Sequence, residues 1–427
     1  MKKSNKEQGI TLIALVITVI VLIILAGVTI VSLSGDNGIL TRVKEAKEKT
    51  EQAQKDEEKI LSNMENALGI YNFKNINTAD TNPAEVVPEN SIVLEDDANK
   101  GIVIKDKNEN EWVWVEVPKT TVFQGLTIDT SKELTEQNYN DIKDKLITYV
   151  AAYRGSWTDE WYAKDGETLV TASTSNLTET QKSLTNGCGL TYEEYKAAYQ
   201  KMLKSVYTYG GFWIGRYEAG IEGTVIETTN ARTGSSARIS IGTSPKAISQ
   251  KDAIPYNWIY CSEAQALAKE MSPDSSYTSN LMFGIQWDLV CKFLEVKSKL
   301  TTENINSDSG TWGNYSNVER IISSDKAKQT ANYGSTWISI TGTKPTSKIL
   351  LTTGASEETN KMNIYDFAGN EYEWTLEYAT TGNYGPCTYR GGDYNLSDSY
   401  SPASYRDGYK TTDSGNGFGF RSTFYVN

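Results

Sequence analysis

The chain has 427 residues, 42 Lys+Arg against 54 Asp+Glu, a net charge of −12 and no histidine. Without imidazole there is no Ser-His-Asp triad, His-ligated zinc or iron facial triad. The acidic balance and the lack of any long basic run argue against a nucleic-acid partner. No Walker-type loop and no GxGxxG is present, so nucleotide chemistry has no foothold. The 10 Trp and 26 Tyr suit binding surfaces or the cores of loop-rich domains.

Residues Ile10 to Leu33 carry no charge. As a helix they would be about 36 Å long, enough to cross a hydrocarbon core of ~30 Å. Lys2, Lys3 and Lys6 precede the run and nothing basic follows until Arg42. This bias predicts a single-pass helix in the cell membrane, N-terminus in the cytoplasm and the rest of the chain outside. Gly9 separates a short charged leader from Ile10-Thr11-Leu12-Ile13, where the apolar run begins. The junction resembles the prepilin-type signal of type IV pilins and pseudopilins. That resemblance implies a prepilin peptidase cutting between Gly9 and Ile10, N-methylation of the new terminus, and other pilin subunits as partners. The family's glutamate five residues after the cut is Ala14 here, a departure that bears on filament assembly. The alternative is a plain single-pass anchor.

The expected organisation is a leader at 1–9, a membrane or pilin-like helix at 10–34, an amphipathic stalk helix at 35–70, and linker and entry strands at 71–109. A large domain then spans 110–427. Gly35-Asp36-Asn37-Gly38 can cap or kink the first helix, and the sparse apolar stripe Ile39, Leu40, Val43, Ala46, Ala53, Ile60, Leu61 and Met64 marks the stalk. Pro83 and Pro88 break the linker. Glu111 to Val117, ended by Pro118, and Gly211 to Glu218 read as strands. One helix is expected between them, opened by a capping box of Thr191 and Glu194, and another opened by Ser262 and Gln265. Trp287, Leu289, Val290, Phe293 and Leu294 mark a third. The last third is strand-and-turn sequence.

Four stretches are more specific: Phe212-Trp213-Ile214-Gly215-Arg216-Tyr217-Glu218, Trp287-Asp288, Tyr365 to Thr375 (YDFAGNEYEWT), and Arg390-Gly391-Gly392 followed by Gly419-Phe420-Arg421. Their identity and order resemble the formylglycine-generating enzyme (sulfatase-modifying factor) family, which implies an α+β domain with a variant of the C-type lectin fold. The resemblance covers roughly 110–427, with insertions around 127–205 and 222–253. In the third block Asp366, Glu371 and Glu373 crowd a Gly369-Asn370 turn, and oxygen-only ligation of this kind suits calcium. By resemblance the calcium ligands are the side chains of Asp366 and Glu373 and the carbonyls of Gly369 and Glu371. Alternatively, the carboxylates hydrogen-bond turn amides, with Trp374 in the core.

The family's oxidase activity rests on a cysteine pair between RGG and GFR. Asp393 to Phe418 contains no cysteine here, so no enzyme activity is expected. Cys188, Cys261, Cys291 and Cys387 allow two disulfides in three pairings, or buried thiols; Cys291 is expected as a free thiol. The segment is instead rich in Tyr, Ser, Asp and Asn, the composition of antibody-like paratopes. Its candidate contacts are Asp393, Tyr394, Asn395, Tyr400, Tyr405, Arg406 and Tyr409. Such a patch also resembles the variable proteins of diversity-generating retroelements. Arg390 and Arg421 are expected to close the fold. Together these features point to a surface-displayed adhesin or recognition protein whose ligand is a surface protein or glycan. The rivals are a minor pilin with a non-binding head and a divergent oxidase.

Overall fold

In the computed structural model the described residues are 15–24, 46–47, 49–50, 52–53, 76–155, 187–228, 231–234, 238–331, 336–379 and 386–427. The chain divides into two units, Met1–Tyr71 and Asn72–Asn427. In the first, residues 15–24 are helical and their Leu, Ile and Val side chains are exposed. No helix among the described residues is long and apolar enough to cross a membrane. Gly9, Ile10, Ala14 and most of the expected membrane and stalk helices lie outside the described residues.

The second unit is built on strands that the chain does not lay down in spatial order. Strands β1 (Ile92–Glu95), β2 (Val103–Lys105) and β3 (Glu111–Glu116) form an antiparallel meander. Trp112 to Val115 are buried on both faces of β3. Helices α1 (Glu136–Tyr149), α2 (Ala151–Arg154) and α3 (Tyr192–Tyr209) follow, then β4 (Gly211–Gly215). Next come α4 (Cys261–Glu270), β5 (Tyr277–Leu281) and α5 (Gly284–Lys297). The chain ends with β6 (Tyr372–Tyr378), β7 (Cys387–Arg390), β8 (Arg406–Tyr409), β9 (Phe418–Phe420) and β10 (Ser422–Val426). One sheet has the order β1-β2-β3-β4-β10-β5, so the final strand enters between β4 and β5. A second sheet has the order β8-β7-β6-β9, with β6 and β9 parallel.

The segment expected as linker and entry strands belongs to this unit. Pro83 opens a short turn, Pro83–Val86, whose Val86 is buried. Trp213 Nε1 donates to Val86 O at 2.8 Å and Trp114 Nε1 to Thr81 Oγ1 at 2.7 Å, so two core indoles fasten it. The Thr191–Glu194 capping box opens α3 as expected, and Gly210 closes it in a left-handed turn. The Ser262–Gln265 box does not form. Helix α4 starts earlier, with Glu263 accepting from Tyr260 N at 3.0 Å, while Gln265 turns inward and accepts from Leu281 N. A buried amide that ties α4 to β5 cannot also cap the helix. Helix α1 was not anticipated: its buried residues are Ile142 and Leu146, four apart on a charged background.

Phe424 is where the large sheet closes. It faces Trp213 across β4, and its ring meets Trp112 at 4.8 Å and Tyr277 at 5.3 Å, both edge to face. Phe424→Ala is expected to destabilise the protein by about 3–5 kcal/mol. Urea unfolding followed by tryptophan fluorescence would show this as a lower midpoint with an unchanged slope.

Candidate functional site

The ends of the candidate segment are fixed by two buried charge clusters. In the first, Asp288 of α5 and Glu377 of β6 face three arginines. Arg390 donates to Asp288 at 2.8 Å and to Glu377 at 3.0 Å. Arg154 reaches the same carboxylates at 3.0 and 3.2 Å, and Arg406 reaches Asp288 at 2.9 Å. Burial alone would push the Asp288 carboxyl up, but the guanidiniums of Arg390, Arg406 and Arg154 outweigh it and hold it below its ordinary value. Arg390 also lies over the Trp287 ring at 5.5 Å, and Trp287 stacks on Phe367 at 4.1 Å. Gly392, two residues on, has φ +81°, and a Cβ there would stand 2.0 Å from Ser401 O. Only glycine permits that approach.

The second cluster surrounds Arg421, which joins β9 to β10. Its guanidinium donates to Glu373 at 2.8 Å, to Gly215 O at 2.9 Å and to Tyr365 O at 2.8 Å. Asp366 accepts from Gly354 N at 2.6 Å and from Thr359 Oγ1 at 2.8 Å. Glu218 accepts from Asn370 Nδ2 at 2.6 Å and from Glu371 N at 3.1 Å. Asp366 and Glu373 are therefore committed to protein donors, and a guanidinium stands where Glu373 would need the cation. The expected set of Asp366, Gly369, Glu371 and Glu373 does not fit calcium in this arrangement. Asp366 bonds a turn amide and Trp374 is buried, with its Nε1 donating to Ile259 O.

Between the clusters the seven candidate contacts separate. Tyr394 is fully buried, and Asp393 and Asn395 are buried beside it, so none of the three reaches a ligand on the surface. Arg406 belongs to the arginine cluster. Tyr400 is 64% exposed, and Tyr405 and Tyr409 are half-buried. The ring of Tyr405 lies 6.2 Å from Tyr400 and 6.0 Å from Tyr372. Tyr409 lies 5.6 Å from Tyr389 and 5.1 Å from Phe418. Tyr372 and Tyr389 are buried under this row and brace it. Asp407 extends it, accepting from Tyr405 Oη at 3.4 Å. Tyr372, Tyr389 and Phe418 went unnoticed as its support because strand residues two apart look like ordinary core until the strand order is known.

The cysteines lie elsewhere. All four are free and buried; Cys188, Cys261 and Cys387 come close to one another, whereas Cys291 lies near Arg390 and Asp288. Burial pushes the Cys188, Cys291 and Cys387 thiols far up, away from the thiolate state that thiol chemistry needs.

These features define a lectin-type α+β domain with a Tyr-rich face between two buried salt-bridge clusters. Residues 166–424 match the sulfatase-modifying factor enzyme 1-like domain, more than half of the 427 residues, and the chain belongs to that family. No curated protein matches it. The strands β1 to β3 precede the matched region yet complete its larger sheet.

The carboxyls below the face set a pH dependence. Burial, and then the neighbouring Asp366, Glu371 and Glu373, push Glu218 well above the ordinary glutamate value of 4.5. Burial likewise raises Glu371 well above it, and raises Asp393 to about 6. Each binds its proton more tightly in the folded chain, so stability falls as pH rises from near 4.5 through about 6. The melting temperature is expected to decline over that window, and Glu371→Gln to make the decline shallower.

Proposed function

We propose that this chain is a non-catalytic recognition protein. Its lectin-type domain binds a surface protein or glycan through the face of Tyr400, Tyr405 and Tyr409, and its N-terminal apolar segment holds it in the cell membrane with the domain outside. The observation that carries this reading is the braced tyrosine row in the segment between Arg390-Gly391-Gly392 and Gly419-Phe420-Arg421. Tyrosine supplies large, rigid, amphipathic contact area at low entropic cost. The absence of any cysteine from that segment, and the burial of all four elsewhere, support the non-catalytic half. The Gly9–Ile10 junction supports prepilin-type processing, with display on a pilus or pseudopilus as its consequence. Retroelement-type diversification would act at exposed positions such as Ser399 and Tyr400, since Asp393, Tyr394 and Asn395 are buried.

The test is a screen of the full-length protein on glycan arrays and cell-surface protein preparations. For whatever binding is found, the double variant Tyr400→Ala/Tyr405→Ala is expected to weaken it at least about tenfold, equivalent to ~1.4 kcal/mol. Tyr400→Ala alone is expected to leave the melting temperature unchanged. Binding that survives the double substitution would move the ligand to another surface, and no binding at all would favour a filament subunit with a spacer head. Conversion of a cysteine-containing peptide in the presence of copper would overturn the non-catalytic half. Mass spectrometry of the protein from its own cells is expected to show a chain beginning at Ile10.

A further inference from the structure

Three of the four cysteines lie together in the core, although the chain brings them from three separate elements. Cys188 sits in the turn before α3, Cys261 opens α4 and Cys387 opens β7, and all three are buried. The turn is shaped to reach the other two. Gly187 and Gly189 both have positive φ; a Cβ on Gly187 would stand 3.7 Å from Cys387 Sγ, and one on Gly189 would stand 3.0 Å from Ser262 O. Cys387 Sγ donates to Gly187 O at 3.6 Å. Strand β6 holds the remaining side. Cys261 Sγ donates to Thr375 O at 3.8 Å, and Thr375 Oγ1 donates at 3.1 Å to Thr388 O, on the residue after Cys387. The thiols of Cys261 and Cys387 are themselves in hydrogen-bonding contact. Cys291 stays apart, in α5 beside Arg390 and Asp288.

A group of thiols can hold a soft metal, close a disulfide, or merely pack as small apolar side chains. Among the described residues no three Cys, Asp or Glu side chains are placed to hold one metal ion. Packing alone does not require two sulfurs to touch, whereas a disulfide does. We infer that Cys261 and Cys387 are a redox pair that closes to a disulfide, with Cys188 remaining as the third thiol beside it.

The step consumes an external disulfide. One thiolate of the pair attacks it, forms a mixed disulfide and releases one thiol. The second thiolate then attacks the mixed disulfide, forms the Cys261–Cys387 bond and releases the other. Two electrons pass to the external disulfide, and the protons of the pair end on its two thiols. Burial holds Cys387 far from its thiolate, so the exchange proceeds as the chain folds or opens locally, and the closed core then shields the bond. The bond fastens the end of β7 that the Arg390 cluster does not reach. Opposite Cys387 on β8 is Tyr409, so the oxidised form holds the strand beside the tyrosine row at both ends. The recognition reading enters only through the setting: a domain outside the cell meets an oxidising compartment, whereas the pairing rests on the geometry.

The test uses the full-length protein in detergent, reduced and then held with oxidised and reduced glutathione just below its melting temperature. It is then alkylated in denaturant and weighed. Alkyl groups on Cys188 and Cys291 alone are expected, together with a linked Cys261–Cys387 peptide that dithiothreitol releases. The oxidised form is expected to melt at least about 3 °C above the reduced form. The double variant Cys188→Ala/Cys291→Ala keeps only the pair and should show the same linkage and the same rise. Alkylation of all four cysteines in the oxidised sample would overturn the inference and leave the cluster as packing. A linkage that maps to Cys188 would overturn it as well. Neither result bears on ligand binding, which the tyrosine variants test separately.

Discussion

A single guanidinium joins the two largest sheets of the large unit. Arg421 lies in the one-residue step from β9 to β10, and its donors meet a carboxylate of the smaller sheet, Glu373, and a carbonyl of the larger one, Gly215. Both charged side chains are removed from water. Burying such a pair is expensive, and the geometry has to return the lost hydration as hydrogen bonds. Once formed, the pair tolerates no sliding: shifting β9 by one residue against β6 would leave a charge buried without its counter-charge. The register of the smaller sheet is thus fixed by electrostatics, and that of the larger by aromatic packing around Phe424.

The second cluster does for the outer edge what Arg421 does for the centre. Asp288, Glu377, Arg390 and Arg406 bring α5, β6, β7 and β8 together, and Arg154 draws the end of the inserted helical region into the same place. Three positive charges against two negative ones would be poor design in an isolated core. Here the guanidiniums have other acceptors: Arg406 also donates to the carbonyls of Tyr153 and Arg154, and Arg390 to those of Tyr405 and Ser404. The surplus charge is spread over backbone dipoles instead of being left bare.

Much of this was legible in the sequence because it is local. The alternation of β3, the Thr191–Glu194 box and the apolar face of α5 all announce themselves within a few residues. The structural roles of Arg390 and Arg421 followed from their setting in RGG and GFR. What could not be read was pairing across distance. Tyr394 and Tyr400 look alike in a polar stretch, yet Tyr394 is buried in the core with its hydroxyl accepting from Asn416, while Tyr400 is exposed. Likewise, nothing near Glu373 in the sequence reveals that Arg421 will pair with it. Helix α1 was missed because two buried side chains among fourteen residues give too faint a period.

The stretch from Ser397 to Tyr400 hangs between Asp393, which is buried, and Arg406, which is locked into the arginine cluster. A loop whose ends are held by its surroundings does not need its own sequence to close it. Asp398 is tied to Asn317, but the exposed side chains of Ser399 and Tyr400 carry little of the folding problem. Substitutions there alter the chemistry offered to the outside while the scaffold stays as it was, which gives a lineage a place where specificity can drift quickly without passing through unfolded intermediates.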